Sequence, residues 1–107
     1  MQIDLYFDIV CPYAWMAAES VAALEARTGA SVRWRPLLLG GVFAAVGQDP
    51  VPAAQWAPAK AVLGRKDVLR QAAVRGLPLR WPDTHPRRTV DAMRLLVAAP
   101  TERVPAL

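Results

Sequence analysis

Two short alternating segments flank one uninterrupted helical stretch, and that order constrains the fold more than any other feature of this 107-residue chain. Ile3-Asp4-Leu5-Tyr6-Phe7 begins with alternation and closes on aromatics, as a strand does. Residues 13–27 are rich in Ala, Leu, Met and Glu and contain neither Gly nor Pro, which reads as a helix. Pro12 marks its start, because the first helical position is where a missing N–H costs nothing, and Gly29 supplies the stop. Ser31-Val32-Arg33-Trp34-Arg35-Pro36 alternates again over the length of a strand. Strand, helix and strand in this order form a βαβ unit, whose crossover is right-handed and whose strands run parallel.

Two parallel strands do not make a stable sheet by themselves, since their edges stay unpaired and their faces need helices. The fold therefore reads as unfinished at residue 107. Residues 37–52 are loop-like, carrying Gly40-Gly41, Gly47, Pro50 and Pro52, with Leu37, Leu38, Leu39, Val42 and Phe43 packing them down. Helical stretches follow over residues 59–63 and 66–75, with Gly64 as a break between them and Gly76 and Pro78 as closure. Pro86 opens a further helix through Ala99. Val90, Met93 and Val97 line one side of it and Ala92, Leu95 and Leu96 the next, which predicts burial on most sides. Pro100 stops that helix, and residues 101–107 offer no finished element. The expected division is a βαβ part over residues 1–43 and an all-helical part over residues 44–107.

Composition removes several function classes. With 54% hydrophobic residues, 21% charged residues and a mean hydropathy of +0.19, the chain is too apolar to be disordered. The net charge of +4 comes from arginines scattered between Arg27 and Arg103, with no basic run interleaved with aromatics, so a nucleic-acid partner is not expected. One cysteine and one histidine exclude an internal disulfide and an ordinary structural zinc site. Met1-Gln2-Ile3-Asp4-Leu5 has no basic leader character, and the uncharged stretch over residues 36–47 is too short to span a bilayer. A cytoplasmic, reducing address is the expectation, without a membrane.

The reaction chemistry points to Cys11. It ends the strand and precedes Pro12 at the first turn of the helix, where unpaired N–H groups and the positive end of the dipole favour thiolate over thiol. Tyr13 and Trp15 are placed to form an aromatic wall or donate a hydrogen bond. Asp8 opposes this effect if it points inward, and otherwise stays in solvent or caps the helix. The plainer reading of Cys11 is a small buried hydrophobe. Ala14 stands where a Cys-x-x-Cys motif carries its second thiol, so Cys11 has no resolving partner in the chain.

Three segments carry a family resemblance: residues 6–15, Tyr-Phe-Asp-Ile-Val-Cys-Pro-Tyr-Ala-Trp; residues 34–43, Trp-Arg-Pro-Leu-Leu-Leu-Gly-Gly-Val-Phe; and residues 85–94, His-Pro-Arg-Arg-Thr-Val-Asp-Ala-Met-Arg. They resemble the 2-hydroxychromene-2-carboxylate isomerases, which belong with the kappa-class glutathione transferases in the DsbA-like thioredoxin superfamily. The resemblance implies an α/β thioredoxin-like fold in which an all-helical insertion follows Phe43. It places the last strands, the final helix and a cis-proline loop after the insertion, so the chain resembles the amino-terminal half of a longer protein. At the position of Cys11 that family usually carries serine, in a Ser-Pro-x-x pattern, facing the glutathione sulfur. The DsbA branch carries the cysteine of Cys-Pro-x-Cys instead.

The activity so implied is a glutathione-dependent isomerase or transferase acting on a small aromatic substrate, with glutathione as cosubstrate and Cys11 as catalytic residue. Pro12, Tyr13, Trp15 and Lys60 are the implied glutathione-binding residues. Lys60 also stands out physically, since a cation in the first turn of a helix opposes the dipole and so marks either an anion site or a solvated side chain. Alternatives are a DsbA-like oxidoreductase using one cysteine and an inactive truncated fragment. The resemblance further implies a homodimer.

Overall fold

A computed structural model describes residues 1–106. Strands β1 (Gln2–Phe7) and β2 (Ser31–Pro36) pair in parallel, with Asp4 opposite Arg33, Leu5 opposite Trp34 and Phe7 opposite Pro36. They are the whole of the sheet among the described residues. Alternation separates the two faces. On one, Phe7 and Trp34 meet edge to face with ring centroids 5.7 Å apart. On the other, Arg33 binds Asp4 through two hydrogen bonds, Nε to Oδ1 at 2.6 Å and Nη2 to Oδ2 at 2.9 Å.

That two-pronged bond holds the Asp4 carboxyl below the ordinary carboxylate value, against a smaller opposing effect of burial. A lowered carboxylate stabilises the fold above the unfolded value of about pH 4 and loses that contribution as pH falls through the folded value. Thermal unfolding of the native chain between pH 5 and pH 2 should therefore lose stability more steeply than that of Asp4→Asn. Parallel curves for the two proteins would show that the pair contributes nothing.

The crossover is two helices rather than the single one read from residues 13–27. Helix α1 (Pro12–Glu19) and helix α2 (Val21–Thr28) meet at Ser20, whose hydroxyl donates to the Met16 carbonyl at 2.9 Å. Serine bonded back in this way competes with the helix ladder and bends it. Gly29 ends α2 as expected, at φ 68° with its N–H on the Glu25 carbonyl at 2.9 Å. The left-handed conformation there is what glycine provides without a Cβ penalty.

The chain forms two compact units, one of Met1–Leu39 together with the segment from Arg88 onward, and one of Gly40–Arg87. This division differs from the boundary at residues 43 and 44. Helix α5 (Val90–Ala98) belongs with the sheet because Met93, Leu96 and Val104 form a buried cluster packed by Phe7, Trp34 and Ala99. The helix starts at Val90 rather than Pro86. It also buries one side only, since Leu95 and Val97 are 63% and 65% exposed. Thr101–Ala106, which the sequence leaves without an element, forms a 3-10 turn that contributes Val104 to the core.

The second unit differs from the sequence reading at two glycines. Helix α3 (Leu39–Ala45) forms through Gly40-Gly41 where a loop was expected. A Cβ at Gly40 would stand 3.3 Å from the Pro50 carbonyl oxygen, so the close approach of that segment uses the missing side chain. Helix α4 (Pro58–Val74) runs unbroken through Gly64, against which the Trp56 ring lies so closely that a Cβ would be 2.7 Å from Cζ3. Gly64 is thus a seat for Trp56 and not a helix break. At the end of α4 the N–H groups of Gly76 and Leu77 bond to the carbonyls of Ala73 and Ala72 at 3.0 and 2.9 Å, a Schellman closure.

Candidate functional site

Cys11 is the N-cap residue of α1, with extended backbone at φ −88° and ψ 113°, and Pro12 occupies the first turn. Its carbonyl accepts the Trp15 N–H at 3.1 Å, the first rung of the helix ladder. An N-cap side chain ordinarily accepts a hydrogen bond from the second or third helical N–H, but the Cys11 side chain makes no such cap bond. No acidic residue sits in the first turn. The thiol is half-buried. The site is therefore a half-buried thiol at the positive end of a helix whose first turn carries no carboxylate.

Of the three placements considered for it, Asp8 takes the inward one. It is 2% exposed and is the one buried polar or charged residue among those described. It neither caps α1 nor faces solvent. Its Oδ1 accepts the Val10 N–H and the Thr89 hydroxyl, both at 3.0 Å, and its Oδ2 accepts the Leu39 N–H at 2.9 Å. Its backbone carbonyl accepts the Cys11 N–H at 3.0 Å. A sequence signal for this existed only in part: an aspartate two residues before a turn is a common backbone-binding residue, but partners 31 and 81 positions away leave no local trace.

The structure brings Cys11, Pro12, Tyr13 and Trp15 together on the first turn of α1. Tyr13 is half exposed. Trp15 and Ala14 line a cavity of about 640 Å³ with Asp8, Phe7 and Trp34, on the side of the helix that faces the sheet. Cys11 is not among its walls. Lys60 lies in the second unit, on α4, with its Nζ 4.8 Å from the centre of the Trp56 ring. Arg88 pairs with Asp91 at 3.5 Å, while Arg87 donates to the Thr84 hydroxyl at 2.9 Å. His85 lies edge to face against Trp81, ring centres 4.9 Å apart. Among the described residues no group of three His, Cys, Asp or Glu side chains is placed to hold a metal ion, and no helix is long and apolar enough to cross a membrane.

A parallel βαβ unit with a lone thiol and proline at the helix start defines a thioredoxin-like domain of the DsbA type. The chain belongs to the DSBA-like thioredoxin domain family, whose profile matches residues 2–106. It is 33% identical over 102 residues to glutathione S-transferase kappa 1 of Caenorhabditis elegans, covering 90% of this chain and 44% of that protein. The corresponding rat protein, from Rattus norvegicus, is 27% identical over 104 residues, covering 94% of this chain and 46% of that one. Among solved structures, a 2-hydroxychromene-2-carboxylate isomerase superposes with a TM-score of 0.70 at 21% identity, covering 99% of this chain and 51% of that one. The chain thus spans less than half the length of these curated relatives.

Proposed function

We propose that the chain supplies the thiol-binding half of a glutathione-dependent isomerase or transferase that acts on a small aromatic substrate. The observation that carries this reading is the half-buried Cys11 at the N-cap of α1, without a capping bond of its own, in a chain 33% identical to a kappa-type glutathione transferase. The residues suit glutathione: the helix start favours an anionic sulfur, the first turn holds no competing carboxylate, and Pro12 removes one N–H that would otherwise need a partner. Bound there, glutathione supplies a thiolate nucleophile.

Cys11 and the first turn of α1 hold that sulfur in its anionic form, and Tyr13 shields it from water on the exposed side. A reducing cytoplasmic compartment keeps Cys11 as a free thiol. Two copies of the complete protein would pair, as the family resemblance implies.

A second reading rests on the identity of residue 11. Cysteine stands where the isomerase pattern carries serine, so its thiolate can itself attack a disulfide, forming a mixed disulfide as the old S–S bond breaks and the other half leaves as a thiolate, with Ala14 providing no second thiol to resolve it. Calorimetry with reduced glutathione, followed by absorbance assays of 2-hydroxychromene-2-carboxylate with and without it, tests the first reading. Binding together with glutathione-dependent conversion is expected. Absence of binding, or conversion independent of glutathione, would overturn it.

A further inference from the structure

Asp8 is unusual in this fold because an ionisable carboxylate is buried with no cation bonded to it among the described residues, and burial of a charge costs stability unless hydrogen bonds compensate. Three donors do so here, and they come from three separate segments. Val10 belongs to the turn that presents Cys11, Leu39 is the last residue before the chain leaves the first unit, and Thr89 is the second residue after it returns. The same residue's carbonyl also accepts the Cys11 N–H.

This donor set dictates a carboxylate. Asparagine offers one acceptor oxygen and one donor nitrogen, so either orientation turns an NH2 group toward a backbone N–H, of Leu39 or of Val10. One partly buried N–H is then left without an acceptor. Serine or threonine would reach even fewer of the three.

From this geometry we infer that Asp8 is the positioning residue of the Cys11 site. Resting on the reading of Cys11 as the reacting group, the inference is that the Asp8 carboxylate sets the backbone of residues 9–11. It thereby places the thiol at the helix start, and it draws on the exit at Leu39 and the return at Thr89 to do so. Thr89 acts in the same way at one remove, through its hydroxyl on Oδ1.

The test is the rate of Cys11 alkylation by iodoacetamide in the 107-residue chain, measured well below the melting temperature and compared with circular dichroism of each variant. Thr89→Val removes one arm and keeps the charge, and it should slow alkylation about fivefold, the scale of one lost hydrogen bond. Thr89→Ser should restore the rate to within about twofold, since its hydroxyl reaches the same oxygen. Asp8→Asn should slow alkylation at least as much as Thr89→Val. Asp4→Asn, which alters the ion pairs with Arg33 and Arg35 on the face of the sheet opposite Phe7 and Trp34, should leave the rate unchanged.

A folded Thr89→Val chain that reacts at the native rate overturns the inference. So does an Asp8→Asn chain that reacts faster than native, because the carboxylate's charge and not its bonding would then govern the thiol. If Asp8→Asn does not fold, the Thr89 pair decides alone. Alkylation needs no glutathione, so failure of the glutathione assay leaves this result standing, and failure here leaves that assay interpretable.

Discussion

Cys11→Ala should lower glutathione-dependent turnover by about a hundredfold or more, while Cys11→Ser should keep most of it. The magnitude follows from what the side chain does in the isomerase reading: it is a donor aimed at a sulfur anion in a shielded site, and removal of one such donor ordinarily costs 10²–10³ in rate. Serine preserves that donor at the same N-cap position, and it is the residue that the family pattern usually places there. Steady-state turnover of 2-hydroxychromene-2-carboxylate at saturating glutathione measures the difference. If both variants lose activity alike, the sulfur of Cys11 is itself the nucleophile and the single-cysteine oxidoreductase reading replaces the isomerase. If both retain it, Cys11 is the small buried hydrophobe that the plainer reading proposed, and the helix start works without it.

The parts of the fold legible in the sequence are those specified by neighbours in the chain. Pro12 and Gly29 mark the two ends of the crossover, and the alternation of Asp4 and Tyr6 with Leu5 and Phe7 orients the first strand; all are local signals. The position of Cys11 at the helix start was legible for the same reason, because Pro12 marks the first turn that Cys11 caps. What escaped depends on distant partners. Helix α3 forms across two glycines while a carboxylate 31 residues earlier accepts the N–H of its first residue. Helix α4 survives Gly64 because Trp56 occupies the space a side chain would have taken. The role of Asp8 was the largest omission, since its charge suggested an effect on the thiol whereas its bonds hold backbone.

The assignment of α5 to the sheet unit leads to the second large effect, on stability. Met93 is 3% exposed and packs in the cluster with Leu96 and Val104, beside Phe7 and Trp34. Met93→Ala removes most of a buried side chain and leaves a cavity, a change that costs about 2–5 kcal/mol. Against a total stability of about 5–15 kcal/mol for a domain of this size, that is from about an eighth to the whole of the fold's stability. Leu95 lies two residues further along the same helix but on its open side, so Leu95→Ala should change stability by no more than about 0.5 kcal/mol. Both substitutions leave helix propensity nearly intact, and the difference between them therefore reports burial alone. Urea denaturation of the two variants beside the native chain measures it. Equal losses would mean that α5 buries its Leu95 side in solution as well, and the one-sided packing of this helix would be wrong.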